Sequence, residues 1–156
     1  MAVSSVSFFI YTGDMNTYVV RSRAVIIHEG KLLVVKHPGR DFYVLPGGHL
    51  DPGEDPKECM ERELVEELGI LPKVGKLLFV YTYTNATGVQ SIEFFFEIEN
   101  GEEYLSHDAF EKTHAHEIEE VSWITPSDDV RLLPQEFHTL FKEGRVGGDL
   151  SFIREK

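Results

Sequence analysis

Cysteine is nearly absent from this sequence: Cys59 is the only one in 156 residues. That excludes an intramolecular disulfide and a zinc site built from several thiolates. The one thiol falls inside an expected helix, where it reads as a small packing residue rather than a nucleophile. Basic charge is also scarce. Fifteen Lys and Arg stand against 27 Asp and Glu, a formal net charge of −12. This argues against general affinity for a nucleic-acid polymer or an anionic membrane, since both bind through Lys and Arg. A phosphate ligand would meet the same long-range repulsion, so phosphate chemistry here would require a bound cation and a few well-placed basic residues. No apolar run approaches the ~20 residues that span a bilayer. The opening stretch has no Lys or Arg before Arg21, so it lacks the basic region of a secretory signal and reads as a strand. The expectation is a cytoplasmic protein. Internal repeats and low-complexity tracts are missing too.

What is there suffices for one globular domain over residues 1–156, with 42% hydrophobic and 12% aromatic content. β-rich runs are expected at Val3 to Tyr11, Thr17 to Ile27 and Lys31 to Lys36, the last two joined by a His28-Glu29-Gly30 turn. Leu32 to Val35 is too continuously apolar for an exposed edge. Lys73 to Tyr83 and Ser91 to Ile98 read as a long hairpin about the Asn85–Gly88 turn. Glu99 to His116 reads as a polar loop. A short strand from Glu120 to Ile124 and a helix from Pro134 to about Lys142, with Leu140 and Phe141 in the core and Gly144 as its stop, complete the chain. Helices interleaved with hairpins point to an α/β sandwich around a mixed sheet.

The most informative stretch is LPGGHLDPGEDPKECMERELVEELGI, Leu45 to Ile70. Asp55 is a good N-cap, Pro56 suits the first helical position, Glu58 completes a capping box, and Gly69 supplies the stop. A helix from Pro56 to Leu68 follows. At 100° per residue Glu63, Glu66 and Glu67 share one face, while Met60, Leu64, Val65 and Leu68 occupy a different arc. Like charges at that spacing oppose helix formation. A hard divalent cation turns the repulsion into attraction, because Mg²⁺ prefers oxygen ligands and is held by carboxylates together with substrate phosphates. Arg62 can orient a carboxylate by a forked hydrogen bond. The competing reading is a solvated acidic face.

Spacing decides between them. Gly48, Glu54 and the run Arg62-Glu63-Leu64-Val65-Glu66-Glu67-Leu68-Gly69-Ile70 resemble the Nudix box, the signature of the Nudix hydrolases, with every fixed position filled. The resemblance implies an α/β/α sandwich and metal-dependent hydrolysis of a nucleoside diphosphate linked to another group, with Mg²⁺, or Mn²⁺ in its place. It implies Glu63, Glu66 and Glu67 as metal ligands, joined by a backbone carbonyl that falls on Gly47. Glu54 and Arg62 would hold those carboxylates in place. The general base of such enzymes comes from the box or from a later loop, which leaves Glu66 and Glu117 as candidates.

Arg23, Lys36 and Arg40 are candidate phosphate contacts. Tyr81, Tyr83 and Phe95 could stack on a base, though core packing accounts for them as well. His49, His114 and His116 carry no specific signal. The expected partner is a small nucleotide, and a homodimer is left open. The proline that helps mark ADP-ribose members beyond the box is missing, as is the tyrosine of dinucleoside polyphosphate members; Thr84 to Gly88 occupies that region. The GGHLDPGE segment resembles forms seen among nucleoside triphosphate hydrolases. A nucleotide sensor without turnover would show eroded glutamates, and these are intact. An isomerase on a diphosphate scaffold fits the complete box less well, and the EF-hand ligand spacing is lacking.

Overall fold

The computed structural model describes residues 18–106, 117–148 and 151–154. The expected first strand, Val3 to Tyr11, lies outside them. Among the described residues, ten strands and two α-helices run in the order β1 (Tyr18–Val25), β2 (Ile27–His28), β3 (Lys31–Lys36), β4 (Tyr43–Val44), β5 (Gly47–His49), α1 (Pro56–Leu68), β6 (Val74–Thr84), β7 (Gln90–Ile98), β8 (Glu120–Ile124), β9 (Leu132–Leu133), α2 (Gln135–Lys142) and β10 (Ser151–Arg154).

The expected mixed sheet is divided in two. One sheet has the order β10-β6-β7-β1-β5; the other runs β2-β3-β4-β9, with β8 also paired to β3. In the first, β1 lies parallel to β7 and antiparallel to β5, so Arg21 sits opposite both Glu93 and His49. Strands β6 and β7 form the expected hairpin.

Alternation along β1 and β3 builds two cores. Val25, Leu32 and Val34 face the side where α2 packs Phe137 and Phe141. Their neighbours Ala24, Leu33 and Val35 face Met60, Leu64 and Leu68 of α1. A strand buried on both faces needs apolar residues at every position, which explains the unbroken Leu32–Val35 run. Helix, sheets and helix thus form the expected layers.

Helix α1 has the bounds its caps dictate. The Asp55 side chain accepts from the Lys57 and Glu58 N–H groups, Glu58 returns the bond to the Asp55 N–H, and Gly69 closes the helix at φ 72°. Its apolar arc needs correction, because Val65 is 39% exposed while Glu67 is only 4% exposed. The expected loop after Glu99 contains a 3-10 turn, Gly101–Leu105. There the fully buried Tyr104 donates its hydroxyl to the Ile70 carbonyl at 3.3 Å. On α2, Phe137 rather than Leu140 joins Phe141 in the core. Strands β4, β5, β9 and β10 have no counterpart in the sequence reading.

Candidate active site

The glycine segment is a strand, not a free turn. Gly47 and Gly48 lie opposite Arg23 and Ser22, and Gly47 adopts φ 132° with no room for a Cβ against the Ser22 carbonyl. Glycine is required there on both counts. A Cβ on Gly48 would collide with the Glu63 carboxylate. The two glycines therefore let α1 lay its acidic side directly against backbone.

Glu67 accepts the Gly47 N–H at 2.8 Å. Burial pushes its carboxyl up to about 8, against the opposing pull of that N–H and of Arg23. Burial also raises the Glu63 carboxyl, with Arg62 acting the other way. Arg62 ties the box together: Nε to Glu54 Oε1 at 2.6 Å, Nη2 to Glu54 Oε2 at 2.9 Å, Nη1 to Glu63 at 2.9 Å and to Glu66 at 3.2 Å. It also donates to the His49 carbonyl at 2.9 Å. The Arg62 contact holds the Glu54 carboxyl down at about 2.

A cleft of about 560 Å³ opens over this surface, lined by Glu63, Glu67, Glu117, Gly47, Gly48 and His49 together with Arg21, Arg23, Arg40, His37 and Phe42. The expected Arg23 and Arg40 are present. Lys36 is not among the walls; its ammonium pairs with Glu120 at 3.0 Å. Glu117 is brought there by its backbone, whose carbonyl accepts from His37 Nδ1 at 2.6 Å. The His49 imidazole is held below the ordinary histidine range by burial and by the two arginines. His114 and His116 lie outside the described residues. Cys59 is buried and its thiol is raised to about 11 by burial, which leaves it a packing residue.

A second cavity, of about 220 Å³, shares the lining residues Arg23, Phe42 and Val44 with the cleft. Tyr81, Tyr83 and Phe95 line it, so they serve the core and face the cavity at once. Glu93, 4% exposed, also lines this cavity. It receives Arg21 Nη1 at 3.5 Å and Arg23 Nε at 3.4 Å. Arg23 also donates to the Leu45 and Gly47 carbonyls at 3.3 Å. Sequence reasoning missed Arg21 and Glu93. The signals were present: two arginines at i and i+2 share a strand face, and a lone carboxylate interrupts an apolar strand.

A NUDIX domain model matches residues 18–141. The chain belongs to this family. It is 36% identical over 93 residues to an ADP-ribose pyrophosphatase of Methanocaldococcus jannaschii, covering 56% of this chain and 55% of that protein. It is 32% identical over 104 residues to a MutT-like protein of Streptomyces ambofaciens, covering 67% and 61%. The chain thus spans little more than half the length of these Nudix relatives. The crystal structure of a MutT NUDIX hydrolase from Burkholderia pseudomallei has the same fold, with a TM-score of 0.65 at 23% identity over 81% of this chain and 97% of that one.

The donor set suits a hard cation. It is all oxygen, carboxylates and a carbonyl, and Gly48 leaves the space in which the Glu63 carboxylate meets backbone. Among the described residues no three His, Cys, Asp or Glu side chains stand as a ready-made ligand group. Among those residues, too, no helix is long and apolar enough to cross a membrane.

Proposed function

We propose that this Nudix protein is a metal-dependent pyrophosphohydrolase that cleaves a nucleoside diphosphate linked to another group, with nucleoside triphosphates the first substrates to test. The carrying observation is that Arg23 lines both an aromatic cavity and a cleft that holds carboxylates and arginines together. A nucleotide has the same two parts, a flat ring and a charged chain.

In this reading Glu63, Glu66, Glu67 and the Gly47 carbonyl would hold Mg²⁺, or Mn²⁺ in its place, which would supply neutralising charge for the phosphoryl oxygens. Arg21, Arg23 and Arg40 receive the phosphate chain and offset the repulsion expected from a net charge of −12. Arg62, locked to Glu54, fixes the Glu63 and Glu66 carboxylates. Glu66 or Glu117 removes a proton from the attacking water. Glu117 fits that part because it lines the same cleft as the arginines.

The test is release of phosphate or nucleotide product from nucleoside triphosphates, nucleotide sugars and dinucleoside polyphosphates, with Mg²⁺ and an EDTA control. One preferred, metal-dependent substrate is expected, with turnover reduced by orders of magnitude in Glu66→Gln. Full activity of that variant with Mg²⁺ would remove the proposed mechanism. Nucleotide binding without turnover would make the protein a sensor.

A further inference from the structure

We infer that the cavity beside α2 selects a planar ring carrying two neighbouring N–H donors, the pattern guanine presents, and that Glu136 is the residue that reads it. The inference rests on the proposal above that a nucleotide lies across the two cavities.

The cavity cannot be the phosphate end. Its lining sets two carboxylates, Glu93 and Glu136, against a single cation, Arg23. Glu136 stands in its wall beside Gln135 at the start of α2, and a second anion there would be repelled. The ring end of the ligand therefore belongs here. Phe42, Tyr81 and Tyr83 give it apolar faces, and the Tyr81 and Tyr83 rings lie 5.5 Å apart at 34°.

Two carboxylates line the cavity, and they differ in what they can still accept. Both oxygens of Glu93 receive arginine N–H groups. Glu136 Oε2 receives the Tyr81 hydroxyl at 3.2 Å, a bond that steadies the carboxylate without spending an arginine on it. An ionised carboxylate only accepts, and it binds best to two parallel donors. Among common bases the guanine edge offers that pair, a ring N–H beside an exocyclic amino group. Adenine and cytosine place an acceptor beside their amino group, and uracil flanks its N–H with two carbonyls. Each of these sets a lone pair against the carboxylate. Hypoxanthine keeps the ring N–H and loses the amino group, so it isolates one of the two bonds.

The test is metal-free calorimetric binding of GMP, IMP, AMP and UMP to the full chain and to Glu136→Gln. GMP is expected to bind at least ~10-fold more tightly than IMP, with AMP and UMP weaker still, since hydrogen bonds to a charged group are among the stronger ones. Glu136→Gln, checked for an unchanged melting temperature, should bring the GMP to IMP ratio close to one. Equal binding of all four by the native chain overturns the inference, and so does an unchanged ratio in the variant. If the variant does not fold, the native order GMP, IMP, AMP still decides. Monophosphates are not hydrolysed, so failure of the pyrophosphohydrolase reading appears only in the turnover screen. Turnover of triphosphates with no base preference would sink the inference and leave that reading standing.

Discussion

Arg62 grips Glu54 with two parallel hydrogen bonds, of 2.6 and 2.9 Å, and the same guanidinium reaches Glu63 and Glu66. Lysine can supply the charge but not the fork. Arg62→Lys is therefore expected to keep the fold and lower kcat by ~10- to 100-fold, the usual cost of loosening groups that orient metal ligands. Steady-state kinetics beside a melting curve checks this. A variant with native kcat would show that the fork positions nothing.

The two glycines of β5 should separate stability from function. Gly47→Ala forces a Cβ into the Ser22 carbonyl at a φ of 132°, and strain of that kind costs about 1–3 kcal/mol or more. Urea denaturation should show the loss. Gly48→Ala meets only the end of the Glu63 side chain, which can move. Its stability should stay within about 1 kcal/mol of native, while Mg²⁺ affinity measured by calorimetry falls.

Acid should weaken the fold in two windows. The lowered Glu54 carboxyl contributes stability that is complete above the ordinary glutamate range and is lost as pH falls from about 4.5 towards about 2. Buried His138 is held below the histidine range, chiefly by burial and then by Lys142. The native state takes up that proton later than the unfolded chain does. The contribution of His138 is therefore complete above its ordinary value near 6.5 and is lost as pH falls through its lowered folded-state value. Glu67, raised to about 8, takes up its proton earlier in the native state and opposes this decline, so the His138 contribution is read as the difference between native and His138→Phe urea midpoints. That difference should grow as pH falls below about 6.5, with the decline shared by His49 and the Glu54 window left in both proteins.

Metal should stabilise the protein if it binds the native state alone. Mg²⁺ at 100 times its Kd adds about 2.7 kcal/mol. The melting temperature should rise with Mg²⁺, return on adding EDTA, and respond far less in Glu67→Gln. An equal rise in that variant would remove Glu67 from the ligands.

The legible parts of this molecule are those whose causes lie close in sequence. Asp55, Glu58 and Gly69 fix α1 because a cap acts within a few residues. The box itself is a spacing pattern, and Glu63, Glu67 and Glu117 do meet at one cleft. What escaped depends on distant partners. β9 has only two residues, and its pairing with β4 comes from tertiary packing. β10 pairs with β6 across some seventy residues of chain. Val65 and Glu67 exchange their expected environments because the Gly47 N–H and Arg23 receive the carboxylate. Periodicity sees only the polarity of each residue, not what it meets.

Strand β3 supplies alternate side chains to the core under α1 and to the core under α2. Neither helix therefore rests on a foundation of its own. The acidic helix and the helix bearing Glu136 share one wall, and loosening either side must disturb the other. Amide hydrogen exchange should find Leu32 to Val35 among the last residues to open, with the two halves melting as a single cooperative unit.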